Sequence, residues 1–145
     1  VIGLSIRYDR IDNFWFVLRH ELEHVRLGHG RGATMMLDTE LEGERAGVGG
    51  DVPAEERAAN EAGQEFAVPI AKMDAFVART APFFAERDIL AFASMLGVHP
   101  GIVAGQVAFR TDRYDRFRQH LVSIRDHVRT SAAVDGWGDV YPLTE

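Results

Sequence analysis

Apolar residues alternate at the start of the chain. Ile2, Leu4 and Ile6 fall on one side of residues 1–7, a period of two that predicts a strand. Asp9 to Asn13 is a polar turn, with Asp12 or Asn13 placed to cap a helix. From Phe14 the spacing becomes helical. Phe14, Trp15, Phe16, Val17, Leu18, Leu22, Val25 and Leu27 surround a few charged positions, which predicts a largely buried helix ending at Gly28 and Gly30. Residues 33–37 form a short apolar run that predicts a second strand, and the glycine- and acid-rich residues 38–51 predict a loop. Helical spacing returns over 53–68, with Asp51 and Pro53 as start signals and Pro69 as the stop. Further helical stretches are predicted over 72–79, 85–96, 101–109 and 114–128. Pro82 and the turn Gly97-Val98-His99-Pro100 punctuate them, and residues 131–145 read as an irregular tail. No internal repeat or low-complexity segment is visible. The expected class is α+β: a sheet of two or three strands on the first two helices, with a C-terminal helical extension. The expected division is a core over 1–82, a helical extension packed on it over 83–130, and the tail over 131–145.

Composition narrows the function classes. With 145 residues and a 46% hydrophobic fraction, the chain is long enough for one real core. A net charge of −6 argues against this chain itself gripping a nucleic-acid backbone. The absence of cysteine excludes disulfide frameworks and thiolate metal sites, and suits a reducing cytoplasm. No apolar run approaches the roughly 18 residues of a membrane span, and no signal peptide is visible. Because Val1 opens directly in strand-like sequence, the chain is expected to be part of a longer protein.

The first helix carries the chemistry. His20-Glu21-Leu22-Glu23-His24 is an H-E-x-x-H. At i and i+4 two imidazoles share one helix face and can hold one tetrahedral zinc at about 2.0–2.1 Å each. Glu21 points about 100° round the helix. It misses the metal but reaches a water bound to it, so the motif supplies two ligands and a general base. A surface pair of histidines on an ordinary helix is the competing reading, but the apolar flanks imply burial, and buried polar groups need partners. The spacing H-E-x-x-H-x-x-G-x-x-H is not met: position 30 is Gly30, and His29 falls one residue early. His29 is expected at an exposed helix end, where a cation suits the dipole.

A catalytic zinc needs a third protein ligand and an open position. On the second helix, Glu56 followed by Asn60 at i+4 places a carboxylate and an amide on one face. The carboxylate can bind metal and the amide can bond a ligand histidine from outside. Ala58 and Ala59 allow close helix approach. Glu56 is the first choice and Glu55 the alternative, because acids in a first helical turn also arise simply to complement the dipole.

Residues 2–24, IGLSIRYDRIDNFWFVLRHELEH, resemble the peptidase-like domain of the ImmA/IrrE family. The similarity is closest to the branch fused to helix-turn-helix regulators of the antitoxin type, through Arg7-Tyr8-Asp9-Arg10 and Asp12-Asn13-Phe14-Trp15-Phe16. Glu56, Ala59, Asn60 and Pro69 match the family's second motif. His99-Pro100-Gly101-Ile102-Val103-Ala104-Gly105-Gln106 resembles the branch's third. The resemblance covers roughly residues 1–128. It implies a zincin-like fold, His20, His24 and Glu56 as zinc ligands, Glu21 as base, and a protein or peptide substrate such as a regulator or repressor. Glu23, Ala58, Gly101 and Gln106 depart from the family's usual residues. None of these departures removes a ligand, but Glu23 adds an acid beside the metal.

The C-terminal half also holds the skeleton of a helix-turn-helix, Ala93 to Gly97 and then Val103. Its second helix offers only Gln106 and Arg110 to a nucleic acid, and Asp112 and Asp115 interleave with Arg110, Arg113, Arg116 and Arg118. A structural helical pair is expected instead. The leading expectation is zinc-dependent endopeptidase activity. The alternative is a non-catalytic sensor or partner-binding domain of a helix-turn-helix regulator or antitoxin. In that case a toxin or repressor is the partner, DNA is reached only through an upstream domain, and oligomers are conceivable. Tyr8, His99 and Arg110 are candidates to stabilise an oxyanion, with nothing in the spacing to choose among them.

Overall fold

The computed structural model describes residues 2, 4, 8–29, 53–128, 135–136 and 139–140. Among them the helices are α1 (Ile11–Leu27), α2 (Ala54–Ala67), α3 (Ile70–Thr80), α4 (Glu86–Leu96), α5 (Pro100–Thr111) and the single turn α6 (Arg125–Val128). A 3-10 turn, Arg118–His120, lies between α5 and α6.

The expected α+β class is therefore corrected to a helical one. The strand expected over 1–7 is described only at Ile2 and Leu4, neither of which has regular structure, and the strand expected over 33–37 lies outside the described residues. The strand pairing present, Asp135–Gly136 with Asp139–Val140, is antiparallel and two residues long, too short to cover a helix. On the flank of α1, the neighbour is another helix. A Cβ on Gly105 of α5 would stand 2.6 Å from the Asp12 Cβ, and one on Gly101 would stand 2.2 Å from the His120 carbonyl oxygen and 2.8 Å from the Ile11 side chain. The third motif thus supplies a stripe of two small residues that lets α5 lie against α1. The same trait argues against α5 as a recognition helix, since Gly101 to Gly105, Val107 and Ala108 are all buried.

Local signals explain most boundaries. Gly28 and Gly97 end α1 and α4 in the left-handed region, at φ 77° and 71°, where a side chain would be strained. Pro53, Pro69 and Pro100 stand at helix starts, where a missing N–H costs nothing. His99 caps α5, its Nδ1 accepting from the Gly101 N–H at 3.0 Å. The cap of α1 is Arg10 rather than Asp12 or Asn13. Asp12 lies inside the first turn and instead accepts Arg10 Nε at 3.1 Å. The helix expected over 114–128 is also corrected. Phe117 turns left-handed at φ 59°, and Asp9 binds the chain beyond it, accepting the N–H groups of Ile124 and Arg125 at 2.9 and 2.8 Å. This bond opens the short α6 and ties it to the segment before α1.

The main apolar cluster is built by α3, α4 and α5 and runs from Ala67 to Val107, across the boundary expected at residue 82. Phe76 stacks on Phe92 with centroids 4.3 Å apart and planes 4° from parallel, and Phe84 packs beside them. Each such fully buried side chain contributes about 1.5–3 kcal/mol of transfer free energy. In contrast, α1 buries His20, Glu23 and His24, while Trp15, Leu22, Val25 and Leu27 are more than a third exposed. The expectation that its apolar residues are the buried ones is corrected: the inward face of α1 is polar.

Candidate metal centre

α1 and α2 run antiparallel and in contact. At one end, a Cβ on Gly63 of α2 would lie 2.9 Å from the Phe16 ring, so only glycine allows this approach. That closeness brings Glu56, two turns earlier on α2, against the His20 and His24 face of α1. The His20 and His24 Nε2 atoms are 2.9 Å apart. Glu56 Oε2 is 3.3 Å from His20 Nε2, and Glu56 Oε1 is 3.4 Å from His24 Nε2. His20 is fully buried, and the Glu56 side chain is 16% exposed.

These separations bear on whether a zinc ion fits. Nitrogen and oxygen ligands at about 2.0–2.1 Å in tetrahedral array stand about 3.3–3.4 Å from one another. Each histidine meets a different oxygen of the Glu56 carboxylate near that spacing, and the histidine pair is closer, at 2.9 Å. His20, His24 and Glu56 form the group of potential metal ligands found among the described residues. Its donors, two imidazoles and one carboxylate, would leave a fourth position open, as catalytic rather than structural zinc requires.

The other expected residues lie around this group without joining it. Glu21 is half-buried on α1, one residue from His20 and off the ligand face. Asn60 lies on α2 one turn from Glu56. Among the described residues its buried Oδ1 has no hydrogen-bond partner, so a supporting bond from that oxygen to a ligand histidine is an expectation the geometry does not display. Glu55 is exposed and turned toward His29, 4.0 Å from His29 Nε2. Glu23, expected to add an acid near the metal, is held away from it: Arg19 reaches it at 2.7 Å and Arg26 at 2.5 Å. Hydrogen bonds from Arg26 first and Arg19 second lower its carboxyl to about 2, so it is a neutralised anion within a triad of charges.

His29 does not sit at an exposed helix end as expected. Its side chain is only 14% exposed, and its Nδ1 lies 2.9 Å from His24 Nδ1. The spacing of H-E-x-x-H does not announce this partner; the glycine immediately before His29 is the available signal. Of the oxyanion candidates, His99 is occupied as the cap of α5. Tyr8 and Arg110 line a cleft of about 100 Å³ with Phe16, Gln106, Phe109 and Tyr114. Phe16 stands between that cleft and the metal group, its ring centroid 6.1 Å from that of His20.

Neither family models, curated proteins nor solved structures match this chain. Among the described residues, no helix is long and apolar enough to cross a membrane.

Proposed function

We propose that the chain is a zinc-dependent endopeptidase-like domain of the ImmA/IrrE kind, acting in the cytoplasm on a peptide bond of a regulatory protein. The observation that carries this reading is the convergence of the His20 and His24 Nε2 atoms with the Glu56 carboxylate at near-tetrahedral spacing. His20, His24 and Glu56 would hold the ion. Bound there, zinc supplies Lewis-acid polarisation of a carbonyl and acidification of water. Glu21 accepts the proton of the attacking water on its carboxylate and returns it to the amide nitrogen as the carbon–nitrogen bond breaks. The products are a carboxylate and an amine, and Glu21 ends as it began. His20 is fully buried, which strengthens electrostatic contacts at that ligand.

The test compares wild type with Glu21→Gln. Both should bind one zinc per chain, and candidate partners, including repressors and toxins, should be cut by wild type only. Proton transfer of this kind typically contributes about 10²–10⁴-fold to rate. If wild type cuts nothing while Glu21→Gln alters partner or DNA binding by the full-length protein, the domain is instead a sensor or docking module.

A further inference from the structure

We infer that His29 is a positioning residue for the metal centre, fixing His24 as a ligand through its second ring nitrogen, with Glu55 as a longer-range electrostatic neighbour. The inference rests on the metal reading above. It begins in the backbone. Gly28 turns left-handed at the end of α1, and this reversal lets the His29 N–H bond the His24 carbonyl at 2.9 Å. That 6→1 closure is a Schellman-type end. It folds His29 back over the last turn of the helix, with ring centroids 5.0 Å apart and ring planes at 61°.

The side chains then face each other nitrogen to nitrogen. His24 Nδ1 and His29 Nδ1 stand 2.9 Å apart, a hydrogen-bond distance that requires one of them to carry the proton. His24 offers Nε2 to the metal group, and a metal-bound Nε2 is bare. The proton of a neutral His24 is then on Nδ1, which donates to His29 Nδ1. His29, accepting there, carries its own proton on Nε2. That nitrogen points toward Glu55 Oε1 at 4.0 Å, an electrostatic contact longer than a hydrogen bond. The groups run from Glu55 past His29 to His24, with the His24–His29 contact at hydrogen-bond distance and the His29–Glu55 contact longer.

The arrangement differs from the usual carboxylate or carbonyl acceptor behind a ligand histidine by inserting an imidazole. It also assigns different roles to the adjacent acids of α2. Glu56 faces the metal group, and Glu55 faces the partner of a ligand.

The test measures zinc affinity by competition with a chelator, in wild type, His29→Phe, His29→Gln and Glu55→Gln, with helical content checked by circular dichroism. Phe fills the space without accepting a proton, and Gln keeps an acceptor oxygen. His29→Phe should weaken zinc about 10–100-fold, the range for lost supporting partners of a ligand. His29→Gln should recover most of that loss, and Glu55→Gln should cost a few-fold. A second readout is the His24 Nδ1 proton in the zinc-loaded, nitrogen-15 histidine-labelled protein. It should be slow to exchange in wild type and fast in His29→Phe. Equal zinc affinity in wild type and His29→Phe, or equal loss in Phe and Gln variants, overturns the positioning role while leaving the metal centre intact. Absence of zinc binding by wild type overturns the metal reading itself, and this inference with it.

Discussion

Replacing Glu56 with Gln tests the metal centre most directly, because it changes one charge and almost no volume. The carboxylate contributes an oxygen to each histidine contact, at 3.3 and 3.4 Å, from a side chain 16% exposed. A structural zinc site with four protein ligands is worth about 10–16 kcal/mol near neutral pH, so one ligand carries about 2.5–4 kcal/mol. The amide keeps a neutral oxygen at the same place, which recovers part of that, leaving a loss of about 2–3 kcal/mol, or roughly 30–150-fold in Kd. Thermal unfolding with added zinc converts this into a shift. At a zinc concentration of about 100 Kd for wild type, the ion stabilises the fold by about 2.7 kcal/mol; with Kd raised about 100-fold it stabilises Glu56→Gln by only about 0.4 kcal/mol. At about 3–4 °C per kcal/mol for a chain of this size, zinc should raise Tm by about 8–10 °C in wild type and about 1–2 °C in the variant. Equal zinc-induced shifts in the two proteins would show that Glu56 is not a ligand. A variant that loses its shift and also melts far lower without metal would show that Glu56 holds the α1–α2 pair together rather than the ion.

Three further outcomes are expected. His20→Ala or His24→Ala should abolish stoichiometric zinc after dialysis, because two remaining ligands cannot hold a catalytic ion tightly; elemental analysis reads this. Gly101→Ala should destabilise the fold by about 1–3 kcal/mol in urea unfolding, since its Cβ meets the His120 carbonyl and backbone must move; an unchanged midpoint would refute the close approach of α5. Asp9 carries a pH signature. The Ser123 hydroxyl and the N–H groups of Ile124 and Arg125 hold its carboxyl below the usual value of 3.8. The folded value is the lower one, so this contribution is present above about pH 4 and is lost as pH falls through the folded pKa. Asp9→Asn should therefore be less stable than wild type at neutral pH and converge with it in acid; a stability gap constant down to pH 2 would remove the Asp9 clamp.

Much of the helical layout was legible because its punctuation is local. Pro53, Pro69, Gly97 and Pro100 act within a turn of themselves, and the boundaries of α2, α4 and α5 fall within a residue or two of where they point. What sequence pattern does not carry is which face meets which partner. Gly101 reads as a departure from a motif and Gly105 as a match to it, yet both are places where α5 touches α1. The break near Phe117 was hidden because its cause, Asp9, lies at the other end of the chain. The apolar flanks of α1 suggested burial, but its neighbour α2 presents small residues and Glu56 there, so the histidines take the inside.

The metal group shows the same division between local and non-local information. The pairing of His20 with His24 follows from helix periodicity alone, so spacing suffices to propose it. Choosing Glu56 over Glu55 requires the rotation of α2 relative to α1, which one sequence does not contain. The structure assigns the two acids opposite faces, one toward His20 and His24 and the other toward His29. Glu23 posed a related problem, since an acid inside H-E-x-x-H could compete with the ligands for the ion. Arg19 at i−4 and Arg26 at i+3 are helix neighbours able to hold it, and both do. With Glu23 neutralised by two guanidinium groups and Glu55 engaged with His29, Glu56 is the carboxylate in the metal group. Glu21 stands beside that group on α1, half-buried and one residue from His20.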